Sequence, residues 1–405
     1  MNIKQINQNE FEKFANDCEY HNFHQTMNYA LLKAEEGYDY EIIGYFQDGE
    51  IKAASLVIIG KIGGKLYGYV PEGFLIDYSN KVLLADFTKE LKKYYRKKNF
   101  SFIKVNPRVI IGTLNKKTGK VIENKMEFIP RFLINQGYTK LKDNLYFESR
   151  LPRFGAIINL NSYNENDLVK NTRNKIRKAI RKGIVIQKGQ YNDINYLNEF
   201  LQKDDPDNKF HYLDYYSIFQ KSNMIDCFVA KIDYKAFLEN AQKGYDKEIY
   251  NNKVLSQKML DNPSVRNVNN KMNSDSVLEA YHSDILKANK MVNVPDKVIA
   301  VALVIKYKET VSLLINAYDK NYSDFSANYL LFDTIINLYK DNYKYFDFNG
   351  IVGDFKDNPY SGLNRFKIGF NPNLYQYAGE YDLILSTMDY DALNRKGLLA
   401  KEFNK

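Results

Sequence analysis

The sequence has no tryptophan and only two cysteines. Cys18 and Cys227 stand far apart, form no C-x-x-C pair and supply no disulfide framework, which excludes a cysteine-stapled secreted fold and fits a reducing compartment. There are four histidines, His21, His24, His211 and His282. None lies with acids or cysteines at zinc-ligand spacing, so no metal and no cofactor are expected. Long apolar runs are also missing. The longest, Val298 to Ile305, covers less than half of a bilayer span, and Asn2 to Glu12 is too polar for a signal core. A soluble, cytoplasmic protein is expected, one that would meet a membrane-borne substrate from the surface. The chain carries no G-x-x-x-x-G-K-[ST] loop, no G-x-G-x-x-G after a strand and no G-x-S-x-G elbow. ATP hydrolysis, dinucleotide chemistry and serine-hydrolase chemistry are thereby disfavoured. An enzyme built from what remains would position two substrates and stabilise charge, without a covalent intermediate.

What is present is a chain of 405 residues, 44% hydrophobic, with 34 tyrosines and a net charge of +9. That length suggests two domains. The positive balance favours a polyanionic partner, unless it reflects only a lysine-rich proteome. The apolar pattern predicts a short helix at Asn28 to Glu36 and a strand at Tyr40 to Tyr45. Then come an Asp48-Gly49 turn, a strand at Ile51 to Ile59, a Gly63-Gly64 turn and a strand at Leu66 to Val70. A helix over Lys81 to Lys97 and a strand over Phe100 to Val105 follow. The same order returns late: strands at Lys297 to Tyr307 and Val311 to Ala317, a helix at Ala327 to Tyr339 and a strand at Tyr345 to Phe348. IKAASLVIIGKIGGKLYGYV lies over VIAVALVIKYKETVSLLINA with matching lengths. This reads as a duplicated domain of roughly 150 residues, although any two hairpins share some likeness.

Between the repeats, Tyr234 to Met291 is polar and helical in pattern. Leu238, Ala241, Tyr245 and Ile249 recur at helical spacing, as do Val277, Tyr281 and Ile285, and Asn262-Pro263-Ser264 breaks the run. Two antiparallel helices forming an arm are expected; two ordinary surface helices are the plainer alternative. From Leu168 to Gln190 there are eight basic residues and no acid. Lys170, Arg173, Arg177 and Arg181 fall in one stripe of a helix, with Val169, Ile176, Ala179 and Ile180 free to pack inward. Such a strip suits the phosphates of a nucleic acid or other phosphate, most directly through Arg173, Arg177 and Arg181. A solvated charged face is the ordinary reading, but it would carry both signs.

The most specific stretches are Tyr345-Phe346-Asp347-Phe348-Asn349-Gly350-Ile351-Val352-Gly353 and Gly362-Leu363-Asn364-Arg365-Phe366-Lys367-Ile368-Gly369-Phe370. Three others are Gln25-Thr26-x-x-Tyr29-x-x-x-Lys33, Val70-Pro71-Glu72-Gly73-Phe74-x-x-Asp77 and Arg173-x-x-Ile176-Arg177-Lys178-Ala179-x-x-x-Gly183. Together, and in order along nearly the whole chain, these resemble the FemABX family of peptidoglycan-bridge aminoacyltransferases. The resemblance implies an α/β (α+β) fold with two tandem acyltransferase domains of the GNAT type and a helical-hairpin (coiled-coil) arm inserted in the second. The expected division is 1–150, 151–375 with the arm at 234–291, and a C-terminal segment 376–405 packing back on the first domain.

The resemblance also implies transfer of glycine, alanine or serine from aminoacyl-tRNA to a stem-peptide amine. The acceptor would be lipid II or UDP-MurNAc-pentapeptide, met in the cytoplasm or peripherally at the inner membrane face. Lys367 matches the family lysine held to stabilise the oxyanion, and Phe366 would shape the site beside it. Lys33 matches a phosphate-binding lysine, and Tyr318 a substrate-contacting tyrosine. His211 and Tyr215 occupy the place of an Arg-x-x-x-Tyr pair, where the lost arginine puts diphosphate binding in doubt. Asn106 stands where many relatives have Asp, and it cannot act as a base. A tRNA-dependent transferase with another acceptor, or a non-enzymatic tRNA-binding protein, remains open from the sequence.

Overall fold

A computed structural model of the chain describes residues 1–143, 145–147, 150–202 and 211–403. The first half runs β1 (Asn2–Gln5), α1 (Gln8–Asp17), α2 (Met27–Glu35), β2 (Asp39–Gln47), β3 (Glu50–Ile62), β4 (Lys65–Val70), α3 (Lys81–Lys97) and β5 (Phe100–Val105). It continues through β6 (Ile110–Leu114), β7 (Val121–Asn124), α4 (Phe128–Asn135) and β8 (Tyr138–Lys140). Then come β9 (Phe154–Asn159), α5 (Lys170–Arg181), β10 (Ile184–Lys188), α6 (Ile194–Gln202), α7 (Tyr212–Gln220) and β11 (Ile225–Ile232). The arm helices are α8 (Tyr234–Asp261) and α9 (Val265–Met291). The last third holds β12 (Lys297–Tyr307), β13 (Thr310–Tyr318), α10 (Ala327–Tyr339), β14 (Tyr345–Ile351), α11 (Ser361–Ile368), β15 (Asn373–Tyr377), β16 (Tyr381–Ile384), α12 (Thr387–Arg395) and α13 (Leu398–Phe403).

Two mixed sheets result, ordered β1-β2-β3-β4-β5-β16-β8 and β10-β11-β12-β13-β14-β9-β15-β6-β7. In each, four antiparallel strands lead through a helix to a strand parallel to the fourth: β4 with β5 in one, β13 with β14 in the other. The helix pairs α1–α2 and α6–α7 occupy the same place after the first strand of each set. The duplicated order expected from the hairpins is therefore a duplicated topology. The sheets do not divide the chain at residue 150. β6 and β7 pair into the second sheet through β15, and β16 returns to the first beside β5.

One apolar core ties the halves together. Phe11, Tyr29 and Leu32 of the first pack in the same cluster as Leu197, Phe219, Val229 and Leu303 of the second. The second sheet's other face packs on α10, with Leu331, Phe332, Ile335 and Ile336 fully buried.

The arm replaces a tight turn. Its counterpart in the first half, between β2 and β3, is the two-residue Asp48-Gly49 connection. α8 and α9 meet closely because Gly244 has no side chain: a Cβ there would sit 2.3 Å from the Tyr281 ring. The Asn252 amide donates across the pair to Asp275 Oδ1 at 2.8 Å. No helix among the described residues is long and apolar enough to cross a membrane.

Candidate active site

The parallel pairing of β13 and β14 lasts only from Thr310/Tyr345 to Ser312/Asp347. Beyond it the strands part, and the pairing of β14 with β9 is also irregular between Asp347 and Gly350. Ladder bonds therefore fail around Phe348 to Gly350, and backbone carbonyls need other donors. α11 supplies them. Lys367 Nζ donates to the carbonyls of Phe348 at 2.8 Å and Gly350 at 2.6 Å. Three residues earlier on the same helix face, the Asn364 amide clamps both the N–H and the C=O of Val352. Phe366 and Phe370 anchor the helix against Phe332, with ring centroids 5.4 and 6.4 Å away.

Lys367 is 6% exposed. Desolvation pulls its ammonium down to about 8, and the nearby Asp347 carboxylate opposes part of that fall. Two of its three N–H groups are used among the described residues.

Two hollows flank this junction. A pocket of about 370 Å³ is walled by Tyr318, Phe366, Tyr329 and Asn316 and lies at the start of α10. A cleft of about 270 Å³ between the sheets carries Asp347, Asn349, Glu72, Arg108, His21 and Tyr345 in its walls. A charge network crosses the seam there. Arg108 donates to Glu72 Oε1 at 2.6 Å, to the Asp347 carboxylate and to the Tyr377 hydroxyl at 3.1 Å. His24 faces the other Glu72 oxygen at 3.4 Å. Burial would push Glu72 up, but Arg108 and His24 outweigh it and hold the carboxyl down at about 2. Asp347 is raised by burial despite Arg108.

The residues expected from the sequence fall into three places. Phe366 and Tyr318 line one pocket, while Lys367, the next residue on α11, turns its ammonium to the end of β14 and lines neither hollow. Lys33, Tyr215 and Asn106 lie apart from these, in the first half and on α7. Lys33 pairs with Glu36 at 2.6 Å and sits 5.3 Å over the Tyr29 ring. Tyr215 stacks on Phe219 at 5.8 Å and lies within electrostatic reach of Tyr29 and Tyr69. The Asn106 amide reaches the Tyr69 hydroxyl at 3.5 Å, and its oxygen accepts from Glu72 N–H at 3.2 Å. His211 is exposed and faces Asp214 at 3.3 Å.

The basic strip of α5 is not a single cationic face. The Arg173 guanidinium turns back onto the carbonyls of Asn166 and Leu168. Arg181 lies 5.1 Å over the Tyr281 ring of the arm, and Arg177 stays exposed. Ile176 and Ala179 pack inward as expected, but Val169 and Ile180 are 49% and 53% exposed. Val169 precedes the helix, so helical phase does not govern it, and Thr172 takes the inner position that Ile180 was assigned. Burial holds both thiols protonated, Cys18 at about 11 and Cys227 at about 12, which removes them as nucleophiles.

Glu72 and Asp347 stand in the matched motifs without a role expected of them, and Arg108 stands in none. The available signal was a lone arginine following the strand-ending Asn106-Pro107, beside a Glu where the matched motif has a different residue.

The model of the FemAB family matches residues 6–395. The chain belongs to the FemAB family. An aminoacyltransferase FemA of Staphylococcus epidermidis is 25% identical over 404 residues, covering 94% of this chain and 95% of that one. The FemA of Staphylococcus aureus strain N315 is 22% identical, with 94% of each chain covered. A crystal structure of FemX superposes with a TM-score of 0.72 at 18% identity, over 97% of this chain and all of that one. The mixed α/β fold of this FemAB protein is thus that of FemX, and its family makes it an aminoacyltransferase.

Proposed function

We propose that this enzyme takes an amino acid of the glycine, alanine or serine class from aminoacyl-tRNA. It passes the amino acid to the stem-peptide amine of lipid II or UDP-MurNAc-pentapeptide, lengthening the interpeptide bridge of peptidoglycan. The observation that carries this reading is the grip of α11 on the parted end of β14. It fixes the Lys367 ammonium on the carbonyls of Phe348 and Gly350, on a helix whose Phe366 lines one hollow and against a strand whose Asp347 and Asn349 line the other. In the reaction the neutral amine attacks the ester carbonyl of the charged tRNA. The carbonyl oxygen becomes an oxyanion, the ester C–O bond breaks, and the ribose hydroxyl leaves with a proton. The free N–H of Lys367 stabilises the oxyanion, and its bonds to Phe348 and Gly350 fix where it points. Tyr318 and Phe366 wall the donor's pocket. Lys33, Tyr215, His211 and Asn106 serve the acceptor. Replacement of the family arginine by His211 removes the guanidinium fork from that position, which weakens any diphosphate contact.

The test is a transfer assay with purified protein, a panel of charged tRNAs and unmodified lipid II or its UDP-linked form. Lys367→Ala should lower kcat by about 10²-fold or more, the range for losing one oxyanion donor. Full turnover in that variant would remove Lys367 from the mechanism. The wild-type rate should also fall as pH rises through about 8, where the ammonium is lost. The same loss should be missing from the residual activity of Lys367→Ala.

A further inference from the structure

A second groove lies on the far side of α11 from the Tyr318–Phe366 pocket. It is open, has a volume of about 570 Å³, and is floored by Phe355, Val169 and Ile368. Its rim carries Lys116, Lys356 and Arg365. Arg365 and Lys356 are exposed and form no ion pair among the described residues. Lys116 donates to the backbone and side-chain oxygens of Asn371, neutral partners that leave its charge uncompensated at contact distance. Lys117 and Lys120 sit on the same β6–β7 turn, and that turn is packed on the groove floor: a Cβ at Gly119 would lie 2.4 Å from the Phe355 ring. Lys170 begins α5 beside it, where the Val169 N–H is bonded to Gly369 O at 3.0 Å. Acids are present too. Asp354 accepts from the Tyr146 hydroxyl at 2.7 Å and from Lys356 N–H at 3.0 Å, Asp357 is exposed at the rim, and Asp167 lies within electrostatic reach of Lys116. The cations outnumber them.

An aromatic and aliphatic floor under a cationic rim is what single-stranded nucleic acid requires, because bases stack and phosphates seek ammonium and guanidinium groups. The groove also adjoins the donor's pocket. α11 turns Gly362, Leu363 and Phe366 to one hollow and Ser361, Arg365 and Ile368 to the other. At Gly362 the space is empty, since an added Cβ would meet nothing within 4 Å, so a strand can cross there close to the backbone.

We propose that this groove, rather than the arginine stripe of α5, carries the single-stranded end of the donor RNA on its way to the Tyr318–Phe366 pocket. Lys116, Lys356 and Arg365 take the phosphates, and Phe355 takes a base. The inference rests on the tRNA donor proposed above.

The experiment is a salt titration of deacylated tRNA binding to wild type, Lys356→Glu/Arg365→Glu and Lys89→Glu. Lys89 is an exposed lysine on α3 in the first half and controls for a charge reversal away from the groove. The same proteins are assayed for KM toward charged tRNA. The groove variant should bind tRNA at least tenfold more weakly, with a KM raised in step. The slope of log Kd against log salt should fall by about 1 to 2, roughly 0.7 for each single-strand phosphate released. Lys89→Glu should match wild type. An active groove variant with unchanged Kd, KM and slope overturns the groove and leaves the donor assignment standing. A wild type that transfers an amino acid but neither binds nor uses tRNA overturns both.

Discussion

Arg108 reaches the seam between the sheets with two carboxylates waiting for it, and that arrangement decides what its loss would do. Removing the guanidinium leaves Glu72 and Asp347 buried with no cation between them. Breaking a buried pair from one side is far more costly than never having built it. Arg108→Ala should therefore lose about 3–5 kcal/mol in denaturant unfolding, and Arg108→Lys less. Glu72 makes a separate prediction in pH. Its carboxyl lies near 2 in the folded protein and near 4.5 otherwise. A depressed carboxyl adds stability that is complete above the unfolded value and is lost as pH falls toward the folded one. Wild type should consequently lose more stability than Glu72→Gln between about pH 4.5 and pH 2. Equal losses would show that Glu72 is not ion-paired in solution. Lys367 has the opposite sign. Its ammonium is disfavoured on folding, so between about pH 8 and 10.5 the unfolded chain binds the extra proton and stability rises with pH. The chain holds a cation at a cost there, and the parted end of β14 gives that cation its two carbonyls.

At the scale of elements, regular structure was legible wherever local signals agreed. α3, β5, β12 and α10 begin and end at the residues their apolar spacing marks, and the Asn262-Pro263-Ser264 break divides the arm as the sequence implies. What could not be read were relations set only by tertiary packing. β6 and β7 look like part of the first half but find their partner strand in β15, far away in sequence. The arginine stripe on α5 has the right phase, yet Arg173 and Arg181 spend their donors and charge inside the molecule, on carbonyls and on Tyr281, which periodicity does not reveal. Ser326 shows the same limit. It stands at the N-cap of α10 like any capping serine, but its backbone is left-handed, at φ 58°, and its hydroxyl makes no cap bond. The arm offers an element-scale test. Its outer part buries only Ser274, whereas its base packs through Phe237, Asp284 and Ala288. Replacing Tyr250 to Ser276 with a short Gly-Ser turn should leave Tm within about 3 °C of wild type, the shift that roughly 1 kcal/mol gives in a chain of this size. A collapse of the fold would contradict the view that the arm is fastened at its base alone.

For the whole molecule, duplication gives two sheets of one topology that differ at the end of a single strand pair. Both sheets share a topology, but β4 and β5 stay paired from Leu66 to Val105, whereas β13 and β14 part after three pairs. In the second sheet the parted strand end leaves carbonyls that accept from Lys367. The core shared between α1–α2 and α6–α7 holds that junction against the first sheet, and Arg108 pins the seam. The motif from Gly362 to Phe370 identified the family from sequence. The structure adds what its residues do: Asn364 and Lys367 close the end of β14, and Phe366 faces a pocket.

The central claim is tested most directly by incubating the wild-type enzyme with tRNA carrying a radiolabelled amino acid and with lipid II. The account predicts label in an alkali-stable amide on the stem-peptide amine, appearing at a rate that Lys367→Ala lowers by about 10²-fold or more. Label that stays on the tRNA, or is released only as free amino acid, would contradict it.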